Sequence, residues 1–134
     1  MSQYISQIPE LIDIPTFTDD RGTLSVIEAE KELGFSFKRI YYLYNINENA
    51  QRGAHAHKNL KQCMIAMAGE FKASIYKDGE LYEFHLKSPG QALIIPPGCW
   101  RDLKEFSKDA VCLVGASEPY EEDDYIHDYE EFKK

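Results

Sequence analysis

An all-β domain, a sandwich or barrel of short strands ending in one short helix, is the fold class that this sequence predicts. Three observations carry it. Roughly ten short apolar or alternating segments follow one another along the chain. Gly, Pro and Asp–Gly turn signals separate them. Helical spacing appears only near the end, where Tyr125, Tyr129 and Phe132 recur among acidic residues.

The elements follow in order. Ile5 to Thr18 mixes apolar and polar residues around two prolines and reads as an edge arm. Asp19-Asp20-Arg21-Gly22 is a turn into the alternating segment Leu24 to Glu28. Phe37 to Tyr44, aromatic and β-branched, reads as a central strand, with Phe37, Tyr41 and Tyr44 in the core. The polar loop Asn45 to Gln51 leads into a strand carrying His55 and His57. Gln62 to Met67 is an apolar run ending at Gly69. Phe71 to Tyr76 alternates, and Lys77-Asp78-Gly79-Glu80 turns it into Leu81 to Leu86. Ala92 to Ile95 and Ala110 to Ala116 complete the strands. Glu122 to Lys133 reads as an amphipathic helix packing its aromatic side on the barrel, its acidic run a solvated face.

With 134 residues, 43% of them hydrophobic, the chain makes one domain, residues 1–134, with a sizeable core. Its net charge of −8 argues against general binding to nucleic acid or an anionic membrane. A small phosphate ligand needs only a few local cations. No apolar run approaches the roughly 20 residues of a membrane span, and a signal peptide's basic and apolar regions are missing. The three cysteines, Cys63, Cys99 and Cys112, lie scattered in apolar contexts. Buried free thiols in a reducing cytoplasm are the expectation.

The chemistry concentrates in Arg52-Gly53-Ala54-His55-Ala56-His57-Lys58. On a strand, the period of two puts both imidazoles on one face. Such a pair binds a metal, moves protons near neutral pH, or merely hydrogen-bonds at a strand end. His85 and His127 have no comparable context, and no role is assigned to them.

Downstream come Gln62, Gly69, Gly90, Pro96, Gly98 and Arg101. Together with His55 and His57 they resemble the two signature motifs of the cupin superfamily. That resemblance implies a double-stranded β-helix, a jelly-roll barrel. In metal-binding cupins a Glu and a further His complete the ligand set, and here Gln62 and Arg101 stand in those positions. A neutral amide is a poor ligand, and a guanidinium, always protonated, cannot ligate. The expectation is a pocket without metal, with acid/base histidines and a cationic residue.

A closer resemblance runs from about Ile12 to Lys133. Asp20-Arg21-Gly22-x-Leu24, Lys38-Arg39-x-Tyr41-Tyr42, the Arg52–Lys58 string, Pro97-x-x-Trp100 and Tyr120-x-Glu122-x-Asp124-Tyr125-Ile126 appear in order. Together they look like the sugar nucleotide 3,4-ketoisomerases, the WxcM-like family of small cupins. The resemblance implies conversion of dTDP-4-keto-6-deoxy-D-glucose to a dTDP-3-keto-6-deoxyhexose, which is then aminated for surface glycans. It also implies a homodimer with exchanged N-terminal strands, and neither metal nor cofactor. His55 and His57 then divide proton transfer at carbon and at oxygen, in either order. Arg101 stabilises the enediolate, with Tyr42 and Gln62 as possible donors. Arg39, Arg52 and Lys58 are the contacts for the diphosphate, although Lys58 also fits plain surface charge. Trp100 stacks on thymine or sugar, or is a core aromatic. Arg21 and Arg101 bear on the configuration at carbon 4 of the product. Two other readings remain open: a metal-free nucleotide-sugar epimerase, and a non-catalytic sugar-binding cupin.

Overall fold

In a computed structural model, which describes residues 7–47 and 49–133, the alternating segments form two antiparallel sheets. The strands are β1 (Glu10–Asp13), β2 (Thr16–Asp19), β3 (Gly22–Ser25), β4 (Arg39–Leu43), β5 (Arg52–His57) and β6 (Gln62–Ala68). They continue with β7 (Phe71–Lys77), β8 (Glu80–Leu86), β9 (Gln91–Ile95), β10 (Trp100–Lys104), β11 (Val111–Ala116) and β12 (Tyr125–Ile126). Two short α-helices, α1 (Ala29–Leu33) and α2 (Tyr129–Phe132), and a 3-10 turn at Glu122–Asp124 complete the described elements. One sheet has the order β1-β9-β6-β11-β4, the other β12-β5-β10-β7-β8, and β2–β3 is a hairpin outside both. This is the jelly-roll architecture expected of the sequence.

The core lies between the sheets. Met64, Leu93 and Val114 from the first meet Phe71, Ala73, Ile75 and Leu103 from the second. Alternate residues of the first sheet, Cys63, Ile65, Ala92 and Ile94, face the other way into a second apolar cluster under Leu33 and Phe35. Strand β6 is thus buried on both faces, which is why Gln62 to Met67 reads as a continuous apolar run rather than an alternation. The three cysteines are buried and free. Among the described residues no helix is long and apolar enough to cross a membrane.

Three expectations need correction. Strand β4 is the edge of its sheet, not a centre, and Tyr44 just beyond it is 60% exposed. Strand β10 carried no strand signal because Trp100-Arg101-Asp102-Leu103-Lys104 places a charge at an inward position. The tail is not one helix. Glu122–Asp124 forms a 3-10 turn, Tyr125–Ile126 pairs with β5, and only Tyr129–Phe132 is α-helical. Asp128, whose carboxylate accepts from the Glu130 amide, starts that helix afresh. The N-terminal arm, whose residues Ile5 and Ser6 lie outside the described residues, does take an edge position, with β1 pairing β9 at the rim of the first sheet.

Candidate active site

Strand β5 puts both histidines on its inward face. Opposite Arg101 and Asp102 of β10 the register shifts by one residue at Gly53–Ala54, a bulge in which both residues have positive φ. A Cβ at Gly53 would lie 2.8 Å from the Arg101 carbonyl oxygen, so glycine is required where the strand bends. The bend brings the Gly53 carbonyl within 2.9 Å of His55 Nδ1. A carbonyl only accepts, so Nδ1 carries the proton and Nε2 keeps its lone pair. His57 Nδ1 lies 3.0 Å from Asp124 Oδ2, and there too a carboxylate accepts. The two rings meet edge to face with centroids 4.9 Å apart. Both Nε2 atoms are buried and without a hydrogen-bond partner among the described residues.

Arg101 fills the neighbouring space and is only 2% exposed. Its Nη1 donates to Gln62 Oε1, and its Nη2 donates to the Cys99 carbonyl at 3.2 Å. This bond orients the Gln62 amide, whose Nε2 donates to the Tyr41 hydroxyl at 3.2 Å. Tyr41 therefore accepts from Gln62 and keeps its own proton to give. Burial raises the Tyr41 pKa, so the hydroxyl stays protonated. Arg101 Nε is buried without a partner.

Electrostatics keep the histidines neutral. Burial first, then the Arg101 charge, lowers His55 from 6.5 to about 4. The same two causes, followed by His55 and Arg39, push His57 lower still, to about 2. Near neutral pH the site therefore holds two neutral imidazoles beside one buried cation. It is equipped to accept two protons and to stabilise an oxyanion.

The C-terminal tail supplies one wall. Tyr125 meets His57 edge to face with ring centroids 4.3 Å apart and stacks on His127 at 5.2 Å. His127 and Tyr120 both hydrogen-bond Glu122. Arg39 lies between the rings of Tyr41 and Tyr120, at 5.4 and 5.7 Å from their centroids, and its buried Nε has no partner among the described residues.

The other predicted residues are placed apart from this cluster. Tyr42 points to the outer face of β4, 58% exposed and stacked on Tyr44. The tyrosine on the inner face is Tyr41. Arg52 shares a hollow of about 270 Å³ with Tyr42 and Tyr44. Lys58 is exposed, although its backbone amide donates to the Asp124 carbonyl. Trp100 is 5% exposed, donates to Asp102 and packs under Tyr129 and Phe132, so it is a structural aromatic facing away from the histidines. Arg21 sits at the β2–β3 tip, its side chain 86% exposed and paired with Asp19. His85 pairs with Glu70 on the surface. Asp124 and Tyr125 belong to the Tyr120-x-Glu122-x-Asp124-Tyr125-Ile126 string of the family resemblance, but the sequence assigns them no role, because the acidic run around them reads as a solvated face.

Comparisons with known proteins place this arrangement among relatives. Residues 7–134 match the family model FdtA: WxcM-like, C-terminal. The chain is 37% identical over 125 residues to a TDP-4-oxo-6-deoxy-alpha-D-glucose-3,4-oxoisomerase of Aneurinibacillus thermoaerophilus, covering 93% of this chain and 90% of that protein. It superposes on a 3,4-ketoisomerase from Helicobacter canadensis with a TM-score of 0.89 and 38% identity, covering 92% and 93% of the two chains. With QdtA, a sugar 3,4-ketoisomerase from Thermoanaerobacterium thermosaccharolyticum solved in complex with TDP, the TM-score is 0.90 at 34% identity, covering 94% and 92%.

Proposed function

The chain belongs to the FdtA, WxcM-like family, and from that membership we infer that it is a sugar nucleotide 3,4-ketoisomerase acting on dTDP-4-keto-6-deoxy-D-glucose. The observation that carries this reading is the pair of bare imidazole Nε2 atoms beside the buried Arg101.

The chemistry follows from that arrangement. The ketone at carbon 4 acidifies the hydrogen on carbon 3. One Nε2 removes it, the electrons move to oxygen 4, and an enediolate forms. The second Nε2 takes the proton of the carbon 3 hydroxyl and returns it to oxygen 4. The first imidazolium then delivers its proton to carbon 4 while oxygen 3 becomes the carbonyl. The C3–H and O3–H bonds break, C4–H and O4–H form, and both histidines end neutral. No resting acid is needed, because the substrate carries both protons. This is the physical use of two histidines held well below their ordinary pKa. Arg101 stabilises the oxyanion, and Tyr41, not Tyr42, stands ready to donate to it.

Binding of the diphosphate is assigned to Arg39, with the exposed Arg52 and Lys58 as further contacts. Arg39 is held by aromatic faces, with no carboxylate on its guanidinium among the described residues. The reading gives no role to a metal or another cofactor, since Arg101 and Gln62 hydrogen-bond each other in the positions where ligands would stand. It also takes the enzyme to be a cytoplasmic homodimer making a precursor of a 3-amino deoxysugar for surface glycans. Phe17 and Leu24 on the β2–β3 hairpin, and Ile40, Tyr42 and Tyr44 along the edge strand, are all more than half exposed in the single chain. Such apolar surface fits a second copy. In that dimer the hairpin, which joins neither sheet of its own chain, lies on the partner and carries Arg21 toward the substrate. The test is product formation: carbon NMR should show the carbonyl moving from carbon 4 to carbon 3 of the dTDP-sugar. A keto group that stays at carbon 4 while a different centre inverts would make the protein an epimerase.

A further inference from the structure

We infer that Asp124 is a positioning residue whose carboxylate decides which nitrogen of His57 carries the proton. The inference rests on the isomerase reading for its catalytic consequence, but its structural part stands without a substrate.

Asp124 is held at three points. Its Oδ1 accepts the Asn59 backbone amide at 2.7 Å, its Oδ2 accepts His57 Nδ1–H at 3.0 Å, and its carbonyl accepts the Lys58 amide at 2.9 Å. The next residue, Tyr125, is registered directly against His57 in the β12–β5 pair. The side chain is 11% exposed, against 1% for His57, whereas Glu121, Glu122 and Asp123 are all exposed. The tail thus places one carboxylate of an otherwise solvated run behind the imidazole, opposite the nitrogen that faces the reacting atoms.

An ionised carboxylate has no proton to give, so it selects the Nδ1–H tautomer and leaves a lone pair on Nε2. It also stabilises the imidazolium that forms when Nε2 takes a proton. Asparagine at 124 would reverse the selection. Its single oxygen has two claimants, the Asn59 amide and His57 Nδ1–H, and the backbone donor cannot change character. The oxygen therefore stays on Asn59 and the NH₂ turns toward His57. Nδ1 must then accept, the proton moves to Nε2, and Nε2 can no longer take one from the substrate.

The test is nitrogen NMR of protein labelled with ¹⁵N-histidine, with His57 assigned by its loss in His57→Asn. In the native protein His57 should show a protonated Nδ1 and a bare Nε2. In Asp124→Asn the two should exchange, turnover should fall by about 100-fold or more, and the KM should change little. Asp123→Asn, one residue earlier and exposed, should alter neither. Native His57 carrying its proton on Nε2 overturns the inference without recourse to any variant. So does an Asp124→Asn protein that keeps Nδ1–H, or one that keeps nearly native turnover. A tautomer that flips as expected in a protein that does not isomerise the keto-sugar supports the positioning role and refutes the isomerase reading instead.

Discussion

Arg101→Met removes the buried positive charge that acts on both histidines, and its consequences separate by pH. Arg101 is second only to burial in lowering His55 to about 4. Without it, His55 should rise toward its ordinary 6.5 without reaching it, because burial remains. A base works only when neutral, so activity is lost as pH falls through its pKa. The acid limb of kcat/KM should therefore move upward in the variant. At pH 8 both histidines are neutral in either protein, and what remains is the lost oxyanion stabilisation. A preorganised donor at a developing oxyanion contributes about 2.7–4 kcal/mol, or about 10²–10³ in kcat. Stability changes less. Gln62 Oε1 and the Cys99 carbonyl lose their donors, at about 1–3 kcal/mol each, and relief from burying an ion offsets part of this. The sign of the linkage is fixed by protonation. The unfolded chain binds protons at His55 and His57 near pH 6.5 and the folded chain does not. Stability is then full above that pH and falls as pH drops toward the folded values. The variant should show a shallower fall. Rates on the keto-sugar from pH 4.5 to 8.5, with urea melts alongside, measure all of this. An unmoved acid limb together with near-native turnover at pH 8 would refute the electrostatic role.

Other outcomes are expected on the same grounds. Arg39→Ala loses a charge-assisted phosphate contact of about 1.5–3 kcal/mol and should weaken dTDP binding about tenfold or more by calorimetry. Unchanged affinity would place the diphosphate elsewhere. Light scattering should give twice the mass of one chain, and deleting residues 7–25 should lower both the mass and the turnover. A native monomer would contradict the exchanged arm. Exhaustive chelation should leave turnover intact, and activity restored by a single added metal would refute the metal-free reading.

How much of this was legible before the structure depended on sequence distance. His55, His57, Gln62 and Arg101 lie in compact motifs whose strand spacing fixes their relative placement, and they do come together. Asp124 meets His57 across 67 residues, where no local pattern reports the contact. The choice between Tyr41 and Tyr42 turned on a single step of strand parity, set by the pairing of Tyr41 with inward-facing Val114. Trp100 misled where its neighbour Arg101 did not. The register that sets Arg101 opposite His55 turns the guanidinium into the site and, by strand alternation, leaves Trp100 on the other face under the last helix. The tail kept helical spacing for Tyr125, Tyr129 and Phe132, but the backbone of Tyr125 found a better use pairing with β5.

The central claim is that two neutral histidines divide the proton traffic, one at carbon and one at oxygen. The most direct measurement follows His55→Asn and His57→Asn in deuterated water, reading turnover and the exchange of the carbon 3 hydrogen by proton NMR. Each variant should lose about 100-fold or more in turnover. The one lacking the carbon base should also lose exchange at carbon 3, and the other should retain it. Near-native turnover in either variant, or the same exchange rate in both, would contradict the division of labour.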